Sequence, residues 1–223
     1  MLLIISDDMH LPFAKYGLRE LFIFGIPLLI GFLLCLFFLP WLSLVFVPGI
    51  FFVGYFFRDP ERVPPDGEEK LLTPADGTIV EITNVYEDNF LKCRATKIGI
   101  FMSIFSVHVN RMPCSGKVEF IKHKDGKFLD ARLPACSDTN EHNLLGLAGP
   151  NGRILVKQIA GRIARRIVCA CSIGQNLQRG ERFGMIKFGS RLEVFIPESA
   201  NIELNILNGQ KVTAGVTVLG VFK

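Results

Sequence analysis

Between Glu20 and Arg58 the chain carries no charged residue, and the 37 positions between them read LFIFGIPLLIGFLLCLFFLPWLSLVFVPGIFFVGYFF. No other feature of the 223 residues restricts folding so strongly. About 20 apolar residues in a helix cross the hydrocarbon core of a bilayer, so this run is long enough to cross nearly twice. It is too long for the apolar core of a secretory signal peptide, and no small-residue cleavage site follows it. A buried helix pair in a soluble protein is the competing structure. Pro40-Trp41 and Pro48-Gly49 interrupt the run where a helix would turn or break. The expected structure is a transmembrane helical hairpin, residues 21–39 and 42–57, with Trp41 near an interface. One span plus a short re-entrant segment is the alternative. Lys15 and Arg19 precede the run and Arg58 and Arg62 follow it, which puts both ends, with the N-terminal segment 1–20, on the cytoplasmic side of the cell membrane.

After residue 57 the composition turns polar. Removing Lys15 and Arg19 from the 25 basic residues, and Asp7, Asp8 and Glu20 from the 21 acidic ones, leaves 23 against 18 over residues 58–223. A formal charge of +5 suits a domain held against an anionic leaflet. No basic run with interleaved aromatics points to nucleic acid. The six cysteines (Cys35, Cys93, Cys114, Cys136, Cys169 and Cys171) show no CxxC spacing, and on the cytoplasmic side they are expected as free thiols. A zinc site drawn from Cys136, His142 and Cys169 matches no structural spacing, so no metal is expected.

The soluble part reads as a β-rich (α+β) domain. RDPERVPPDGEEKLL (58–72) is Pro-rich and aperiodic, a linker. TIVEITNV (78–85) is β-branched, KIGIFMSIF (97–105) is a short apolar run, and Val118 and Phe120 alternate with polar neighbours. Asp125-Gly126 is a tight-turn pair, and Asn151-Gly152 is a type I′ hairpin signal between LLGLAG and RILVKQI. Ile202, Leu204 and Ile206 alternate before Asn208-Gly209, and VTAGVTVLGVF supplies the return strands. In QIAGRIARRIVCAC the isoleucines 159, 163 and 167 repeat as on a helix face, yet the stretch is β-branched; its strand-rich surroundings favour strand. There is no GxGxxG, no Walker loop and no tandem repeat.

Three residues stand out for chemistry. RFGMIKFGSRLEVF (182–195) reads as a strand with Gly189-Ser190 at its middle, where a glycine ordinarily marks a bulge or a close backbone approach. The Ser190 hydroxyl is one bond system away from the Gly189 carbonyl it could attack. His108, unlike His10, His123 and His142, lies straight after an apolar strand and before a Pro-containing turn, and Asp76 sits in TPADGTIV. Asp76, His108 and Ser190 compose an Asp–His–Ser set, for which geometry matters and chain order does not. FGSRL lacks the second glycine of a GxSxG nucleophile elbow, which argues against an esterase.

RGERFGMIKFGSRLEVFIP resembles the processing-site segment of phosphatidylserine decarboxylases, in the short form typical of bacteria and archaea. LLTPADGTIVEI and FMSIFSVHVNRMPCSGKV resemble the family's other two signature stretches, in the same order. The resemblance runs from about residue 55 to the C-terminus, and the apolar anchor is similar too. It implies a proenzyme in which the Ser190 hydroxyl attacks the Gly189 carbonyl, converting amide to ester. β-Elimination and hydrolysis then leave a pyruvoyl group in place of Ser190. His108 would serve as base, with Asp76 orienting it or taking the proton itself. The products would be a β chain, residues 1–189, and an α chain, residues 190–223, which stay associated. The covalent pyruvoyl would form a Schiff base with the amine of phosphatidylserine in the membrane, accept the electrons released with carbon dioxide, and give phosphatidylethanolamine, with His108 as proton donor. The oligomeric state is left open, a homo-oligomer included.

This chain departs from the family pattern at three positions. Longer members carry HxxH where Arg111 takes the second place, so that histidine's part in cleavage is shared, moved to His108 or done without. Ser106 stands where short members often have an acidic residue, and Arg191 where some have Thr. Other readings keep the pyruvoyl but change the substrate, to an ether-lipid serine analogue or a free amino acid. A membrane-tethered serine hydrolase, or a non-catalytic carrier or scaffold, is a different class; KVTAGVTVLG and PADGTIV are similar to biotinyl-domain hairpins but present no suitable lysine between them.

Overall fold

A computed structural model describes residues 12–162, 166–187 and 189–223. The chain divides into two units, residues 1–61 and 62–223. In the first, α1 (Leu18–Phe38) is followed by α2 (Pro40–Ser43), a 3-10 turn over Leu44–Phe46, and α3 (Val47–Phe56). Pro40 ends α1: the residue before a proline is pushed out of the helical region, and Leu39 has φ −144° and ψ 73°. Pro40 and Pro48 each stand in the first turn of the helix that follows, where a missing N–H costs nothing.

The two arms lie antiparallel. Gly31 faces Phe46, whose ring a Cβ there would meet at 2.5 Å, and Gly49 faces Leu28 at 3.2 Å. Small residues let apolar helices approach closely where no hydrophobic effect drives them together. The open ends are tied by Ala14 N–H to Phe57 O and Asp59 N–H to Pro12 O, both 2.8 Å. None of α1 is buried, and Phe22, Ile23, Phe24, Ile26 and Leu29 all stand out from it. A helix apolar on every side and left uncovered fits lipid and not water. At 1.5 Å per residue α1 is about 31 Å long, against about 25 Å for the interrupted arm Pro40–Phe56. The first arm therefore starts three residues earlier than the pattern suggested, and the second is continuous only over Val47–Phe56. Among the described residues, one helix is long and apolar enough to cross a membrane. The N-terminal segment 1–20 is described only from Pro12 onward.

The second unit is a β structure, as the sequence indicated. Its strands are β1 (Lys70–Leu72), β2 (Gly77–Glu87), β3 (Cys93–Met102), β4 (Val109–Arg111), β5 (Gly116–Lys124), β6 (His142–Gly149), β7 (Gly152–Ile159), β8 (Ile167–Cys169), β9 (Asn176–Leu177), β10 (Arg182–Ile186), β11 (Ser190–Pro197), β12 (Ile202–Leu204), β13 (Lys211–Val212) and β14 (Val218–Phe222), with a single helical turn α4 (Cys136–Thr139). Eight form one sheet in the order β13-β2-β3-β11-β7-β6-β5-β9; β1-β14-β12 and β4-β10-β8 form two smaller ones. All the pairings between these strands are antiparallel.

Strand alternation sets the core. Leu192 and Val194 of β11 lie opposite Ile100 and Ile98 of β3, and all four are buried with Val156, Leu145 and Ile196. The other face of β11 is buried as well, although it carries Arg191 and Glu193. Arg191 Nε donates to Glu193 Oε1 at 2.8 Å, its Nη2 reaches Glu81, and Ser137 Oγ of α4 donates to Glu193 Oε2 at 2.8 Å. Buried charge survives only when paired in this way.

Several local expectations change. RFGMIKFGSRLEVF is not one bulged strand: β10 belongs to a three-stranded sheet and β11 to the centre of the eight-stranded one. The β6–β7 hairpin forms, but Gly149 pairs with Gly152, so the turn is Pro150-Asn151. Proline's negative φ forbids a type I′ turn there, and the positive φ falls on Gly152 at 101°. Asp125-Gly126 makes no tight turn. Gly126 instead passes so close to Asn140 and Glu141 that a Cβ would meet their backbone at 2.5 Å. The end of the expected linker is strand β1. Around the ambiguous segment, Ile159 and Ile167 lie in strands, while Ile163 falls outside the described residues.

Candidate active site at the Gly189–Ser190 corner

The chain leaves β10, turns through Lys187 and Gly189, and enters β11 at Ser190, crossing from one sheet to another. Gly189 has φ +63°. The nearest atom to a Cβ there would be Ile104 Cγ2 at 3.8 Å, so the dihedral and not lack of space calls for glycine. Ser190 is fully buried and pairs with Met102, the last residue of β3; its hydroxyl donates to Met102 Sδ at 3.4 Å. On the other side, Gly161 packs directly on the Gly189 carbonyl, and a Cβ at 161 would run into that oxygen.

His108 is brought here by β4, which pairs with β10, and its own carbonyl accepts the Ile186 N–H at 3.3 Å. The ring is buried. Nδ1 lies 2.8 Å from Ser106 O; a carbonyl only accepts, so Nδ1 carries the hydrogen. Nε2 therefore presents a lone pair, and it accepts the Gly189 N–H at 3.3 Å. The Ser106 contact uses the backbone, so it does not depend on the residue type at 106.

The Asp76 carboxylate is engaged by Arg62 and Ala214. It takes a bidentate pair from Arg62, 2.5 Å and 2.8 Å, and accepts the Ala214 N–H at 2.8 Å, while Arg62 Nη1 also donates to Ala214 O. Asp76 precedes β2, which is separated from β11 by β3, so it sits at the same end of the sheet as Ser190 but about 10 Å away by strand spacing. Arg62, expected as part of a linker and a topology signal, is the other half of this clamp. Arg111 is buried and donates to Gly180 O at 3.1 Å. Arg191 belongs to the ion network on the outer face of β11.

Sequence reasoning missed a polar chain behind Met102. Asn110 Nδ2 lies 3.9 Å from Met102 Sδ, Gln158 Nε2 donates to Asn110 Oδ1 at 2.8 Å, and Asn143 Nδ2 donates to Gln158 Oε1 at 3.2 Å. All three amides are buried. The available signal was an amide in the apolar strands HVNR and LVKQI. The zinc candidates disperse: Cys136 Sγ faces Ala131 O, His142 Nδ1 faces Asn140 O, and Cys169 and Cys171 are free thiols whose hydrogen bond holds the Cys169 thiol below its ordinary range against the effect of burial. Among the described residues no three His, Cys, Asp or Glu side chains gather as metal ligands. Beside Gly189 opens a cavity of about 450 Å³, walled by Phe101, Ile104, Phe105, Arg132 and Arg162 among others.

Residues 50–220 match the family described as phosphatidylserine decarboxylase. A phosphatidylserine decarboxylase proenzyme from Syntrophus aciditrophicus is 44% identical over 205 residues, covering 89% of this chain and 95% of its own length. Another from Carboxydothermus hydrogenoformans is 44% identical over 183 residues, 82% of this chain and 85% of its own. A third, from Citrifermentans bemidjiense, is 46% identical over 197 residues, 88% of each. The matched region includes Asp76, His108, Gly189 and Ser190, and the chain belongs to the phosphatidylserine decarboxylase family.

Proposed function

We propose that this chain is a phosphatidylserine decarboxylase proenzyme that cuts itself between Gly189 and Ser190. The observation that carries the reading is the corner itself. A buried serine follows a positive-φ glycine, and a neutral imidazole nitrogen faces that glycine's amide.

Rotation of Ser190 about χ1, a motion between staggered wells, takes its hydroxyl off Met102 and onto the Gly189 carbonyl carbon. The Oγ–C bond forms, His108 Nε2 takes the hydroxyl proton and passes it to the nitrogen of residue 190, and the C–N bond breaks to give an ester and a free amine there. Gly161 leaves room beside the carbonyl oxygen as it becomes tetrahedral. Loss of the Ser190 Cα proton then expels the Gly189 carboxylate, and addition of water with loss of ammonia leaves a pyruvoyl group. The corner fits such a group: residue 190 pairs with Met102 of β3, the next residue along β11 is paired with both β3 and β7, and residue 190 is fully buried. A pyruvoyl ketone supplies a site that binds the substrate amine covalently and accepts the electron pair released with carbon dioxide. His108 Nε2 holds the proton that replaces carbon dioxide on the substrate carbon.

The α chain, residues 190–223, stays because β11 sits inside the large sheet, β13 pairs with β2, and β14 pairs with β1. In this reading Asp76 acts through the Arg62–Ala214 clamp and not on the His108 ring. The apolar hairpin anchors the enzyme where its substrate lies. Its two tied ends leave the bilayer on one side, and Lys15, Arg19 and Arg58 make that the cytoplasmic face.

The test is carbon dioxide release by the purified full chain, with phosphatidylserine in mixed micelles and free serine as alternative substrates. Release from the lipid and not from serine is expected. Release from serine alone, or an uncut chain that fluorophosphonates label at Ser190, would overturn the reading.

A further inference from the structure

We propose that the cavity beside Gly189 is the headgroup pocket of this enzyme and that Arg132 and Arg162 hold the phosphodiester of its substrate. The inference rests on the decarboxylase reading and names the residues that would make the site choose a phospholipid over a free amino acid.

The two walls of the cavity differ in kind. Phe101, Ile104 and Phe105 form one, and Phe105 stands 62% exposed at the rim. Asp130, Arg132 and Arg162 form the other. Both Asp130 oxygens are engaged by Arg132, through Nε at 3.0 and 3.2 Å and Nη2 at 2.5 Å, and the Arg132 backbone N–H adds a bond at 3.0 Å. These bonds bring the Asp130 carboxyl down to about 2, with the nearby charge of Arg162 contributing. Asp130 is therefore ionised at any working pH and cancels one guanidinium. One positive charge remains, and among the described residues Arg162 forms no ion pair of its own. A singly charged phosphodiester is the complement of that wall, and guanidinium is suited to phosphate by its planar fork of donors.

The reach is consistent. In a serine phospholipid, phosphorus is four bonds from the amine nitrogen that must meet residue 190, and Gly189, which lines the cavity, adjoins that residue. The glycerol end would then leave along Ile104 and Phe105. Free serine would meet the reacting residue but leave the guanidinium wall empty. A larger hollow of about 630 Å³ beside Phe90 and Phe120 touches none of these groups.

The test compares wild type with Arg132→Gln, Arg162→Gln and the double variant, using water-soluble glycerophosphoserine so that membrane binding does not enter. Self-cleavage should proceed in all four chains. In the double variant KM should rise about tenfold or more, with kcat within about threefold, and Arg162→Lys should recover much of the loss, as expected for a charge-assisted contact to the bound substrate. An unchanged KM in fully cleaved double variant overturns the assignment. Should the double variant fail to mature, glycerophosphoserine is titrated by calorimetry into uncut Ser190→Ala chain with and without the arginine substitutions. The same loss of affinity supports the pocket, and equal affinity overturns it. Failure of wild type to decarboxylate any serine phospholipid would sink the decarboxylase reading, while the titration would still decide the pocket.

Discussion

Two of the positive-φ glycines of the β unit, Gly152 and Gly189, sit in completely different surroundings. Gly152, at φ 101°, closes the hairpin between β6 and β7, strands that are neighbours in one sheet, and nothing lies within 4 Å of where its Cβ would be. Gly189, at φ 63°, joins strands of two different sheets, with His108 Nε2 on its N–H, Gly161 against its carbonyl and a fully buried serine after it. The same local device produces an ordinary turn in one place and, in our proposal, a self-cleaving bond in the other. A left-handed glycine is thus only a permission. What distinguishes the second corner is a carbonyl packed against Gly161 and an imidazole nitrogen whose ring is held by Ser106.

The largest effect should come from removing that nitrogen. His108→Ala is expected to slow formation of the 1–189 fragment by about 10³-fold, the usual scale for losing a general base, with far-UV circular dichroism unchanged. Maturation at the wild-type rate would place the base elsewhere. Gly161→Ala should come next. Its methyl must displace the Gly189 carbonyl, and a slowing of about 100-fold, near 2.7 kcal/mol in the barrier, should show in a time course on denaturing gels. If Gly161→Ala matures normally, the packed carbonyl plays no part and the contrast with Gly152 loses half its content.

The contrast is sharpest in a matched pair. Gly189→Ala and Gly152→Ala both place a Cβ at a positive φ, at a cost of at least about 1–2 kcal/mol. Gly152→Ala should lower Tm by a few degrees, as expected for a unit of this size, and mature fully. Gly189→Ala should mature at least tenfold more slowly for a similar loss of Tm. Equal maturation in the two would break the comparison outright.

The smallest effect concerns Asp76. If it works through the clamp, Asp76→Asn and Arg62→Gln should slow maturation by similar, severalfold amounts. A severe loss in Asp76→Asn with a normal Arg62→Gln would return Asp76 to the proton chemistry that the family resemblance implies.

Local pattern explains what was legible in the sequence. The uncharged run, the β-branched stretch of β2, the alternation in β5 and β12, and the Gly-Ser pair within a recognisable segment are all properties of contiguous residues. The turn at Pro150-Asn151 was missed by one residue because a dipeptide rule ignored proline's fixed φ. The division of residues 182–195 between two sheets was hidden because its strand character is continuous, and sheet membership is decided by partners far away in the chain, Met102 for Ser190 and Val109 for Met185. Gly161, Arg132 and Arg162 were invisible for the same reason. The role of Asp76 came from residue type and from the family resemblance, and neither showed that Arg62, fourteen residues earlier, pairs with its carboxylate.

The most direct test of the central claim is the intact mass of the purified chain beside a Ser190→Ala variant. The expected result is a wild type in two pieces. One ends at Gly189; the other spans residues 190–223, lacks a free amino terminus and is lighter by one ammonia than the peptide beginning with Ser190. The variant should stay whole. A folded wild type that remains a single uncut chain, or a C-terminal piece that retains a free serine, would contradict it.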